Sequence, residues 1–148
     1  MNTTIRAANI NDMEEVFNLV KELAIYEKAE QEVTTNAKTY RKDFEEGLFE
    51  VLLATIDDKI VGMMLYYNTY STWKGKMIYL EDFIIKEAYR KQGIGQQLYD
   101  YFIEVVKLKD ASLAKWQVLN WNTPAINFYE KNNAEIEQNW WNVKVFTK

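Results

Sequence analysis

The chain has 148 residues, no cysteine, no histidine and a formal net charge of -4. That length suits one domain with a real hydrophobic core, and 48% hydrophobic with 27% charged residues sets aside disordered and fibrous classes. Without Cys or His there is no disulfide, no thiolate nucleophile, no Ser–His or Cys–His pair and no zinc set beyond carboxylates.

In chain order, Thr4–Ala8 reads as an opening strand. Asn11-Asp12-Met13-Glu14 resembles a capping box with Asn in the leading place, and Val16, Leu19, Val20 and Leu23 follow at helical spacing. Arg6, Asn9, Asn11, Asp12, Glu14 and Glu15 interrupt the first thirty residues, so these are no secretory signal. No window is apolar for long enough to span a membrane, and the cytoplasm is the expected compartment. A second helix is predicted from Thr34 or Thr35 to Gly47, a residue suited to the left-handed position after a helix. Phe49–Ile56 and Ile60–Tyr70 flank Asp57-Asp58-Lys59 as a hairpin, and Trp73-Lys74-Gly75-Lys76 breaks the pattern.

Met77–Ile85 is apolar on both faces and is predicted to be a central strand. A helix from Gly93 to about Lys109 carries Ile94, Leu98, Phe102, Val105 and Val106 on one stripe. Lys115–Leu119 reads as the next strand. Thr123-Pro124 opens a helix, with Thr as cap and Pro in the first turn, and Asn132-Asn133 end it. The last fifteen residues, with Trp140, Trp141, Val143, Val145 and Phe146, read as two short strands packed on the core or on a second subunit. The predicted order is β-α-α-β-β-β-α-β-α-β-β, a mixed, mostly antiparallel α/β sheet with flanking helices in a single domain over residues 1–148. No repeat or linker divides it.

Arg90-Lys91-Gln92-Gly93-Ile94-Gly95 lies between the central strand and the amphipathic helix. The start of a helix offers unpaired N–H groups and partial positive charge. Gly93 and Gly95 let the backbone approach a phosphate, and Arg90 and Lys91 add charge. A dinucleotide fingerprint would need a third glycine where Leu98 stands, and a P-loop would need Gly-Lys-Ser/Thr. Two glycines alone also fit a plain strand-to-helix turn; the strand before, the basic residues and the helix after favour an anion.

This Arg-x-x-Gly-x-Gly run resembles the acetyl-CoA signature of the GNAT superfamily. Asn122-Thr123-Pro124-Ala125-Ile126-Asn127-Phe128-Tyr129-Glu130-Lys131 is similar to its second motif, Asn-x-x-Ala-x-x-Phe-Tyr-x-Lys, with Asn133-Ala134 where Gly-Phe is usual. Within the superfamily the likeness is to spermidine/spermine (diamine) acetyltransferases and thialysine-acetylating relatives. It also runs through Lys21-Glu22-Leu23-Ala24, Tyr26-Glu27 and Tyr79-Leu80-Glu81-Asp82-Phe83. The resemblance implies the GNAT acyl-CoA N-acyltransferase fold, acetyl-CoA as co-substrate, no metal and a homodimer. It implies coenzyme contacts from Phe83, Ile84, Ile85, Arg90, Lys91, Gln92, Gly93, Ile94, Gly95, Gln96, Asn122, Pro124, Ala125 and Asn127.

Acetyl transfer to an amine has two proton problems. The amine arrives as ammonium, with a lysine-like pKa near ~10.4, and the departing thiolate needs a proton. Glu81 and Asp82 interrupt an apolar strand; adjacent strand residues face opposite ways, so only a bulge would let both face one cleft. By the resemblance Glu81 is the general base, acting through water, Asp82 a second substrate carboxylate, and Tyr129 the general acid toward sulfur. Structural ion pairs for the two acids, and core packing for one of ten tyrosines, are the plainer alternatives. Backbone N–H groups beside the pantetheine could polarise the thioester carbonyl. Tyr26, Glu27 and Trp73 match amine-channel residues, and Trp73 could hold a cation on its ring face. Ser71 stands where the polyamine enzymes place an Asp, which leaves room for a shorter diamine or an amino acid.

A small cationic amine is therefore the expected partner. The alternatives are an amino acid such as lysine or thialysine, a protein amine, or a silent acetyl-CoA sensor, which would need neither Glu81 nor Tyr129. The acidic balance and the lack of a basic, aromatic-interleaved stripe speak against nucleic acid.

Overall fold

A computed structural model describes residues 2–148. Its sheet contains β1 (Thr3–Ala7), β2 (Glu50–Ile56), β3 (Lys59–Ser71), β4 (Gly75–Ile85) and β5 (Leu113–Lys115) in that spatial order. The first four pair antiparallel, and β5 runs parallel to β4. The helices are α1 (Met13–Tyr26), α2 (Ala37–Glu45), α3 (Ile94–Leu108) and α4 (Thr123–Lys131). Contacts divide the chain into two compact units: one through Gln117 with the sheet and α1–α3, the other Val118–Lys148 with α4. Among the described residues no helix is long and apolar enough to cross a membrane.

The sheet buries both faces of its middle strands. On one face Met13, Val16, Leu19 and Leu23 of α1 pack on Val51, Leu53, Met63, Leu65 and Ile84. On the other, Tyr66 of β3 meets Phe102 of α3 edge-on, ring centroids 5.3 Å apart, beside the buried Leu98 and Ile94. The β2–β3 turn holds Asp57 and Asp58 at φ of 49° and 64°, the left-handed pair of a twisted hairpin turn. Gly47 and Asn133 also take the positive φ expected of them after helices.

Several boundaries differ from expectation. The capping box lies two residues earlier: the Asn9 side chain accepts from the Asn11 N–H, and Asp12 accepts from the Asn9 N–H at 2.8 Å. Asp12 also takes a two-pronged contact from Arg6 at 2.8 and 2.9 Å, so β1 fixes the entry to α1. Asn36, not Thr34 or Thr35, caps α2 through the Thr39 N–H. Asn122, not Thr123, caps α4 through the Ala125 N–H, and Thr123 is its first helical residue. Strand β5 ends at Lys115, where Lys115–Leu119 had been expected, because the ladder to β4 holds only Met77, Ile78 and Tyr79. The two C-terminal strands do not form, and Trp140, Trp141, Val143, Val145 and Phe146 are all exposed. β-propensity becomes a strand only where a neighbouring backbone completes the ladder, and no described residue supplies one.

Candidate active site

The β3–β4 ladder contains the irregularity that sets the site. Tyr67 lies opposite Tyr79, Tyr66 opposite Leu80 and Leu65 opposite Asp82, which leaves Glu81 without a partner. One extra residue in a strand is a β-bulge and shifts the alternation of side chains. Leu80 shares its face with Tyr66, on the α3 side; Glu81 follows it onto the opposite face, and Asp82 shares that face with Leu65. Neighbouring carboxylates thus lie together on the α1 side, with Tyr67 and Tyr79, whose rings stack at 5.5 Å and 24°.

The electrostatics carry the mark of that crowding. Burial first, then the charges of Glu81 and Glu27, push Asp82 up to about 7. Burial also raises Glu81 and Glu27. Tyr40 of α2 is pushed up to about 12, by burial and then by Asp82 and Glu81. Tyr67 likewise reaches about 12, by burial and then Glu81. Expected residues Glu27, Glu81 and Asp82 are therefore brought together, and Tyr40, Tyr67 and Tyr79 join them unanticipated. Tyr79 could have been found by plain alternation, two residues before Glu81; nothing in the sequence ties Tyr40 to the acids. Trp73, 82% exposed, stands in the β3–β4 turn, where the Ser71 hydroxyl accepts from the Lys74 N–H.

Beyond β4 the chain makes a tight turn at Glu87–Tyr89 and reaches α3 through Lys91 at φ 62° and Gly93 at φ 81°. Left-handed residues in such a run turn successive amides toward one side, and the α3 start has no side-chain cap. The Gln97 N–H bonds to the Gly93 carbonyl, so the amides of Ile94, Gly95 and Gln96 precede the helical ladder. A Cβ on Gly95 would lie 3.7 Å from both Phe83 and Ile85, which places the loop on the end of β4. Leu80 and residues 82–85 pair within the sheet on the β3 side alone, since the ladder to β5 ends with Lys115 opposite Tyr79. Arg90 donates from Nε to the Ile85 carbonyl at 2.8 Å, and its guanidinium lies 5.2 Å from the Tyr26 ring centroid. Gln92 and Gln96 donate to the Ala88 carbonyl and the Asp100 carboxylate, at 3.4 and 2.9 Å.

In the second unit, Asn122 is buried as the cap of α4, Pro124 and Asn127 are exposed, and Ala125 is half-buried. Tyr129 is only 8% exposed, edge-on to Phe128. The amides of the 91–96 loop suit a diphosphate, and the carboxylate cluster suits a cation; among the described residues no cluster of ligands could hold a metal ion.

A sequence profile of the Acetyltransferase (GNAT) family matches residues 13–134, continuous across both units. The chain is 38% identical over 141 residues to thialysine N-epsilon-acetyltransferase of Bos taurus, covering 88% of this chain and 83% of that protein. It is 31% identical over 148 residues to spermidine/spermine N(1)-acetyltransferase-like protein 1 of Homo sapiens, covering 92% of this chain but 21% of that protein. Its fold matches an aminoglycoside acetyltransferase from an uncultured soil metagenomic sample with a TM-score of 0.82, at 18% identity, over 99% of this chain and 97% of that one. With the family profile matched over most of its length and a curated acetyltransferase 38% identical to it, this chain belongs to the GNAT family of acetyltransferases.

Proposed function

We propose that this enzyme moves an acetyl group from acetyl-CoA to the primary amine of a small cationic acceptor, a diamine or polyamine such as spermidine. The observation that carries the proposal is the convergence of Glu27, Glu81 and Asp82 at one face of β4, the strand whose far end packs against the 91–96 loop. Partly desolvated acids held above their ordinary range gain most from an arriving ammonium, because the cation restores their charged form. Loop amides and Arg90 take the diphosphate, and the β4 edge at Phe83–Ile85 takes the pantetheine. Glu81, through water, removes the ammonium proton; the freed amine nitrogen attacks the thioester carbonyl, the C–S bond breaks as Tyr129 gives its proton to the leaving sulfur, and the second proton shed by the nitrogen as it becomes an amide returns, through water, to the Tyr129 phenolate. A second assignment exchanges the acids, since Asp82, at about 7, lies nearest the optimum for a base at neutral pH.

The acceptor can also be an amino acid. The bovine relative is named for thialysine, and Ser71 supplies no distal carboxylate. We read both units as one acetyltransferase domain, supported by the unbroken family match. We also propose a homodimer that covers the exposed Trp141 and Phe146. The cytoplasm remains the expected compartment on sequence grounds. A thiol-release assay with acetyl-CoA against putrescine, spermidine, spermine, lysine and thialysine tests the proposal. One amine should stand out in kcat/KM, and no release with any of them would refute acetyl transfer to small amines.

A further inference from the structure

Arg90 is the one basic residue of the loop whose side chain reaches out to a different element among the contacts described. Its Nε holds the Ile85 carbonyl at the end of β4, and its guanidinium lies over the ring of Tyr26 at 5.2 Å. A guanidinium has five N–H donors, so four remain for an anion gripped by the adjoining amides. Tyr26 is the last residue of α1 and Glu27 is its cap; the chain then turns sharply at Lys28, φ 59°. The position of Glu27 thus depends on that last turn, and its charge is felt by Asp82. The acceptor-side acid and the coenzyme loop are joined through one cation–ring contact.

We propose that Arg90 is a positioning residue that links coenzyme binding to acceptor binding through Tyr26, so that each ligand tightens the other. The inference rests on the acetyl-transfer assignment above. A diphosphate on the loop draws the Nη donors toward it and fixes the guanidinium between Ile85, Tyr26 and the anion. The fixed guanidinium pins the last turn of α1 and sets Glu27 to receive an ammonium. Linkage makes the effect reciprocal: an ammonium held by Glu27 tightens the coenzyme by the same factor.

The test is calorimetric titration of coenzyme A into the full chain, alone and with saturating spermidine or thialysine. In the wild type the amine that is turned over should tighten coenzyme A about three- to tenfold, the range a partly exposed cation–π contact can transmit. Tyr26→Phe keeps a ring and should keep most of that factor. Tyr26→Leu should bring it close to one, whatever it does to either affinity alone. Long-range attraction between the ligands would survive both changes, so an unaltered factor in Tyr26→Leu overturns the link, as does a factor of one in the wild type. Failure of the acetyl-transfer assignment shows separately, as no thiol release from the wild type with any amine.

Discussion

Replacing Asp82 by Asn tests the acceptor site most directly. Burial, Glu81 and Glu27 together hold this carboxyl at about 7. A group with that pKa is about one-tenth ionised at pH 6 and about nine-tenths at pH 8. If the ionised cluster receives the amine, kcat/KM for the acceptor should rise about tenfold across that interval and then level off. The acceptor ammonium, with a pKa near ~10.4, stays protonated throughout, so the break belongs to the carboxylates. It is a property of the Glu81–Asp82 pair rather than of either acid. In Asp82→Asn only Glu81 remains, raised by burial alone, and the break should move clearly below 7. In Glu81→Gln, burial and Glu27 still act on Asp82, and the break should lie between. Plateau rates then separate the roles, because loss of a general base costs about 10²–10⁴. The assay is initial-rate thiol release at constant ionic strength from pH 5.5 to 9. A wild-type rate that climbs without a break to pH 9, or a break unmoved in Asp82→Asn, would refute the reasoning.

The same shift makes a statement about stability. Asp82 has a higher pKa folded than the ordinary 3.8 it recovers on unfolding, so its contribution is full below that value and is lost as pH rises through about 7. The ligand-free Tm should therefore fall between pH 5 and 8, and Asp82→Asn should flatten that slope; equal slopes by scanning calorimetry would contradict the burial argument. Tyr129→Phe should lower kcat by about 10²–10⁴ with little change in acetyl-CoA affinity, and an unchanged kcat would remove Tyr129 from the chemistry. Gly93→Ala puts a side chain at φ 81°, into space with no atom within 4 Å. The cost is backbone strain of about 1–2 kcal/mol, seen as a Tm lower by about 2–8 °C. Its acetyl-CoA KM should rise, since the loop amides would be re-aimed; equal Tm and KM would show that the left-handed turn is not required.

The order of elements through α4 was legible because periodicity and punctuation agreed. Ile94, Leu98, Phe102 and Val106 mark the buried stripe of α3, and Gly47, Asp57, Asp58, Gly93 and Asn133 sit where positive φ was needed. Errors gathered where local preference competes with a partner. Asn122 and Asn36 outcompete the neighbouring threonines as caps, in line with the ranking of N-cap residues. At the C-terminus, Val143, Lys144 and Val145 have the alternation of a strand, yet the ladder that would make it one is a tertiary matter and leaves no trace in the segment itself.

The site divides in the same way. The loop from Arg90 to Gly95 could be read because its chemistry is local: two glycines, two cations and a helix start all within six residues. Glu81 and Asp82 could be picked out as intruders in an apolar strand, but strict alternation separates them, putting Asp82 on the α3 face with Leu80. Only the register, with Leu65 opposite Asp82 and Tyr66 opposite Leu80, brings both acids to one side. That displacement of one residue has electrostatic consequences out of proportion to its size. Adjacent carboxylates on opposite faces would be insulated by the sheet; on one face, with Glu27 beside them, each charge raises the cost of the next. Asp82, held at about 7, is therefore only part-ionised at neutral pH, and under the proposed function an ammonium would relieve the repulsion as it binds. Selectivity for a cation, and readiness to take its proton, then share a single cause in the backbone of β4.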